Sequence, residues 1–207
     1  MPLILEGILT TLNADGSVNI SPMGPIVDPS MATLTLRPFN TSTTYANLKR
    51  TGQGVFHVSD DVELIARAAV GPVVPPPRLV PCQAVEGWIL ADACRWYALR
   101  VGEIDDRQER VVMTAEVVDR GRLRDFFGFN RAKHAVVEAA ILATRVQFLP
   151  AAEILAEFER LKIPVEKTGG RAELAAFDFL LNYVHAALPT LLHHAASPKM
   201  SVRHHEK

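Results

Sequence analysis

One short stretch, Arg37-Pro38-Phe39-Asn40-Thr41-Ser42-Thr43-Thr44-Tyr45, gathers the residue types that hold an anion. Arg37 brings a permanent charge and a planar fork of N–H donors that matches a phosphate or carboxylate. Thr41, Ser42, Thr43 and Thr44 place four hydroxyls where a short helical pattern, Tyr45 to Arg50, begins before stopping at Gly52. Free N–H groups and the positive end of the helix dipole converge at such a point, which suits a phosphate. Ser and Thr are also ordinary N-caps, and capping alone accounts for the same residues. Both readings stay open at this stage.

Other chemistry-bearing residues are scattered. Ser21-Pro22-Met23-Gly24 ends a strand pattern, with prolines that stop regular pairing and a glycine that lets a ligand or backbone come close. Cys82, between Pro81 and Gln83, has no neighbour that would activate a thiol. His57 lies between Phe56 and Val58, where its default role is a satisfied, partly buried imidazole. His193, His194, His204 and His205 are not spaced as metal ligands within any element, so no metal site is assigned. Arg131, His134, Glu138 and Arg145 form a stripe at helical spacing, either a solvated face or side chains looking into a site. There is no Gly-x-Ser-x-Gly, P-loop or Gly-x-Gly-x-x-Gly signature, and no catalytic acid, base or nucleophile is assigned.

The elements that must position these residues fall into two blocks. Leu3 to Leu12, a turn at Asn13-Ala14-Asp15-Gly16, and Ser17 to Ser21 read as a hairpin. Ala32 to Leu36 and Gln53 to Ser59 alternate as strands, and Asp60-Asp61 precedes a helix over Val62 to Val70. The proline-rich run Gly71 to Pro81 reads as an ordered loop. Arg95 to Ile104 and Arg110 to Val118 form a long hairpin. From Asn130 the period becomes helical. Helices are expected over Arg131 to about Phe148, from Pro150 to Lys162 before Pro164, and from after Gly170 to about Leu188-Pro189. Strands first and helices later predict an α+β chain: an antiparallel barrel of about six strands over residues 1–125, a helical region over 126–189, and a flexible tail over 190–207.

Composition narrows the function classes. With 207 residues the chain can bury a sizeable core without disulfide or metal staples. A net charge of −1 gives no attraction to nucleic acid or an anionic membrane. Two cysteines are too few for a disulfide framework, no run reaches membrane-spanning length, and the N-terminus lacks a basic segment. A cytoplasmic protein is expected.

The order of these features is similar to one known superfamily. The N-terminal hairpin, the Ser21-Pro22-Met23-Gly24 turn, Arg37-Pro38-Phe39, the Thr/Ser-rich segment leading to Tyr45-x-Asn47-Leu48, then Gly52, Val55-Phe56-His57-Val58 and Asp60-Asp61 resemble the FMN-binding split barrels. This flavin reductase-like superfamily includes pyridoxamine phosphate oxidases. With its helical Asn130 to Ile141 region, the chain looks like an uncharacterised archaeal and bacterial family of that superfamily. The resemblance implies an antiparallel split β-barrel followed by a C-terminal helical region. It also implies an FMN cofactor, with Arg37, Thr41, Ser42, Thr43 and Thr44 at the phosphate and Ser21, Pro22, Met23 and Gly24 along the ring edge. A homodimer, a nicotinamide donor such as NAD(P)H and an oxidoreductase activity follow from the same likeness, the alternative being a non-catalytic flavin-binding or carrier protein. His57 departs from the pattern, standing where a small polar amide would be expected.

Overall fold

The computed structural model describes residues 2–195. Its organising unit is the N-terminal hairpin, which is longer than the sequence pattern suggests. β1 (Leu3–Ile4) and β2 (Gly7–Leu12) return as β3 (Val18–Met23) and β4 (Ile26–Val27). Gly16 takes φ 83° at the turn, a conformation most side chains resist. One register runs through the whole hairpin, from Leu12↔Val18 to Gly7↔Met23 and on to Ile4↔Ile26 and Leu3↔Val27. It kinks at Leu5–Glu6 and Gly24–Pro25, where the N–H of Leu5 still donates to Pro25 O at 3.1 Å.

The kink lets one hairpin serve both ends of a sheet. Its upper half pairs with β6 (Gln53–Val58), and its lower half with β5 (Thr33–Leu36). The long hairpin of β9 (Arg95–Asp105) and β10 (Val112–Arg122) fills the space between them, giving the order β1-β4-β5-β10-β9-β6-β2-β3, antiparallel throughout. With each kinked strand counted once, six strands go round, and the sheet rolls into the predicted split barrel. Leu9, Leu34, Leu36, Phe56, Leu99 and Met113 fill it from the alternating inward positions, and Leu48 of the helix that follows β5 packs among them. The proline-rich loop carries β7 (Leu79–Pro81), which pairs with β8 (Trp88–Leu90) in a small separate sheet. Neither strand is visible in the sequence pattern, because each is too short to show a period.

The second core is helical. α2 (Val62–Val70), capped by Asp61, contributes Val62 and Ala66 to it, although it lies in the β-rich part of the chain. α3 (Arg131–Ala143), capped by Asn130, α4 (Ala151–Thr168) and α5 (Arg171–Ala195) supply the rest, with Val146 from the turns between α3 and α4. Three expected boundaries are corrected. α3 ends at Ala143, and only turns follow as far as Phe148. α4 continues through Pro164, because Ile154, Phe158 and Val165 on one face are buried against the core and outweigh the lost backbone bond. α5 passes Pro189 and is anchored before it by Ala176, Phe177, Leu180 and Val184. Of the expected tail, residues 190–195 are helical and the rest lies outside the described residues.

Asp60, 6% exposed at the end of β6, joins the two cores. Its carboxylate accepts from both Arg124 terminal nitrogens and from the N–H of Phe127 at 2.7 Å. Lys133 Nζ of α3 donates to its carbonyl at 2.7 Å and pairs with Glu173 of α5 at 2.9 Å. The Arg124 bond holds the Asp60 carboxyl down to about 2.

Candidate functional site

Arg37 follows the last residue of β5, and α1 (Thr43–Thr51) begins six residues later. The segment between them is pinned to the opposite hairpin by its backbone. Val111 N donates to Pro38 O at 3.0 Å, Asn40 N to Glu109 O at 2.9 Å, and Phe39 bridges Arg110. Ser42 is the N-cap of α1: its Oγ accepts from Tyr45 N at 3.1 Å and donates to Phe39 O at 2.7 Å. Gly52 closes the helix at φ 65°. Tyr45 and Lys49 both bond Asp106 of the β9–β10 turn, at 2.8 and 2.7 Å, so the helix start cannot swing.

The four hydroxyls therefore do different work. Ser42 is spent on the cap, as the plainer reading has it. Thr44 is buried and turned inward, accepting from Asn19 Nδ2 at 3.0 Å. Thr41 and Thr43 are exposed, and the N–H groups of Thr43 and Thr44 at the open helix end have no acceptor among the described residues. Arg37 Nε is buried and has no hydrogen-bond partner. An unpaired buried donor costs free energy, and an anion arriving at this point would remove that cost.

Register relates this segment to Ser21–Gly24. Ile26↔Thr35 is the last pair before β3 and the Arg37 segment part company, and continuing it would set Arg37 level with Gly24. The two segments meet again at the Asn19–Thr44 bond. Between these points no strand pairs with the outer edge of β3, which ends the sheet order. The split in the barrel wall is thus an opening framed by Ser21, Pro22, Met23 and Gly24 on one side and by Arg37 to Thr43 on the other. The expected residues stand on the two sides of this gap in the strand pairing, Ser42 serving the cap and Thr44 bonding Asn19 at its end.

Three residues near this frame escaped the sequence reading. Arg110 Nη1 donates to Arg37 O at 2.8 Å, and its guanidinium lies 3.8 Å from the centre of the Phe39 ring. Burial, Arg37 and Arg145, in that order, push its pKa down. Glu6 packs on Gly24, where a Cβ would stand 2.9 Å from Oε1; burial first and then Glu138 raise the Glu6 carboxyl. Asn19 bridges Thr11 and Thr44. Only strand register, which one sequence does not display, could have found them.

Other expectations resolve differently. His57 is fully buried: Leu90 N donates to Nε2 at 3.1 Å, and Nδ1 lies 3.2 Å from Ile8 O. Burial lowers its pKa to about 4, so it is neutral and structural. Arg131, His134 and Glu138 are the exposed face of α3, His134 lying beside Phe129, and Arg145 is exposed beyond the helix end. Cys82 and Cys94 are free and buried. Two cavities lie away from the frame. One of about 250 Å³ is found between the α2 start and Pro75–Pro77, and another of about 680 Å³ beside the β7–β8 hairpin. Among the described residues no helix is long and apolar enough to cross a membrane.

A family model described as "Protein of unknown function (DUF447) N-terminal domain" matches residues 5–124, and one described as "Protein of unknown function (DUF447)" matches residues 130–182. No curated protein matches the chain. Among solved structures, an FMN-bound protein from Methanosarcina mazei assigned to the same family model superposes with a TM-score of 0.76 at 22% identity, covering 88% of this chain and 96% of that one. The flavin reductase of the styrene monooxygenase from Pseudomonas putida S12 has a TM-score of 0.49 at 15% identity, over 57% of this chain and 79% of its own. Flavoredoxin of Desulfovibrio vulgaris (Miyazaki F) has 0.47 at 12%, over 57% and 69%. The first likeness shows a shared fold, and the other two are too low to carry an argument.

Proposed function

The chain belongs to the DUF447 family, and from that premise we propose that it is an FMN-binding flavoprotein acting as an oxidoreductase. The observation that carries the reading is the buried, unpartnered Nε of Arg37 at one end of the split, beside the open N–H groups of α1. The FMN-bound state of the Methanosarcina mazei protein, which shares the fold, supports it. In this reading Arg37, the hydroxyls of Thr41 and Thr43 and the N–H groups of Thr43 and Thr44 hold the phosphate. Ser42 and Thr44 shape the loop from behind. The backbone of Ser21, Pro22, Met23 and Gly24, along the unpaired edge of β3, offers hydrogen bonds to the polar edge of the ring system. Bound FMN supplies the electron and hydride chemistry, and the protein supplies binding, orientation and exclusion of water.

We further assign a nicotinamide donor, NADH or NADPH, and a homodimer. Leu3 and Ile4 on β1, Phe39 at the frame, and Phe127 and Phe129 are exposed apolar residues that a second copy would cover.

The test is direct. Purified protein should be yellow, release FMN on denaturation, sediment as two chains, and bleach anaerobically with NADH or NADPH. A colourless protein that takes up no FMN would refute flavin binding. FMN-loaded protein that neither donor reduces would leave the non-catalytic flavin-binding or carrier reading in place of the oxidoreductase.

A further inference from the structure

We propose that Arg110 is a second anion-binding guanidinium of the frame, closing with Arg37 on the terminal phosphomonoester of the ligand. The inference rests on the flavin reading above and deepens it.

Position comes first. Arg110 is not on a free loop: Phe39↔Arg110 is a backbone bridge, flanked by the Asn40–Glu109 bond at 2.9 Å and the Val111–Pro38 bond at 3.0 Å. Its side chain folds back so that Nη1 meets Arg37 O at 2.8 Å, and the guanidinium stacks 3.8 Å from the Phe39 ring centre. The stack fixes the plane of the group and spends only its π face. One of its five N–H donors is used, and the rest are left for a ligand.

Charge comes second. Neither Arg37 nor Arg110 forms a salt bridge among the described residues, whereas Arg67, Arg78, Arg107, Arg122, Arg124 and Arg160 each do. Among the described residues Glu109 is the carboxylate that acts on Arg110, and Arg37 opposes it. Arg37 and Arg110 repel one another, and a dianion entering between them reverses the sign of the interaction. A phosphate monoester carries close to two negative charges at neutral pH, so a second guanidinium has a second charge to meet.

Binding of FMN and of riboflavin, which lacks the phosphate, separates this role from mere packing. Arg110→Ala should weaken FMN about tenfold or more, the loss of a charge-assisted hydrogen bond, and leave riboflavin within twofold. Arg110→Lys should fall between, since it keeps the charge and loses the planar fork. Equal losses for FMN and riboflavin in Arg110→Ala would overturn the proposal, as would unchanged FMN affinity. Wild-type protein that binds neither flavin would instead bring down the flavin reading itself, and this inference with it.

Discussion

Single residues show how burial decides between a structural and a functional role. Arg37 and His57 are both polar groups within the β-rich region, but His57 has both ring nitrogens satisfied and Arg37 leaves Nε without a partner. Arg37→Ala should therefore weaken FMN binding by about 1.5–3 kcal/mol while barely changing the unfolding midpoint, read by flavin titration and urea denaturation. His57 should do the opposite. Its folded pKa is depressed to about 4 from 6.5, so the unfolded chain binds the proton first as pH falls. Its contribution is whole above pH 6.5 and is lost towards pH 4, about 3 kcal/mol over that window. Urea midpoints between pH 7.5 and 4.5 should show this slope, and His57→Gln, although less stable at pH 7.5, should flatten it. Arg37 was legible in the sequence because a charged residue between a strand and a hydroxyl-rich helix start is unusual. Arg110 was not, since its partners stand far away along the chain and only register brings them together.

Elements formed where local chemistry and packing agree, and their boundaries moved where packing prevailed. The caps at Ser42, Asp61 and Asn130 lie where residue type predicts them. The helix end assigned to Pro164 failed because a proline is a weak stop when apolar residues on both sides of it, here Phe158 and Val165, share one buried face. The kinked hairpin has its own demand at Gly7, where a Cβ would overlap the His57 carbonyl and stand 2.7 Å from the Phe56 ring. Gly7→Ala should lower stability by about 1–3 kcal/mol, as overpacking does. Gly71→Ala, in extended backbone with nothing within 4 Å, is the matched control and should be near neutral in the same urea titration.

At the scale of the whole molecule the barrel and the helical region are not separable by cutting the chain. Val62 and Ala66 of α2 belong to the helical core, and Asp60, paired with Arg124, is also held by Phe127 and Lys133 from the far side. A fragment ending at residue 125 should expose the buried face of α2, bind a hydrophobic dye and aggregate. A monodisperse fragment with a cooperative melt would contradict this. The strands-then-helices order made the fold class readable, but α2 lay on the barrel side of the boundary and its loyalty to the second core did not show. The hairpin that begins the chain has one more consequence. Where β4 meets β5 the ring is fastened by only two residue pairs, Ile26↔Thr35 and Val27↔Leu34, right beside the mouth of the split. With so few cross-strand bonds to break, that short seam should open more readily than the rest of the ring, and faster amide exchange at Ile26 and Val27 than in β9 would show it.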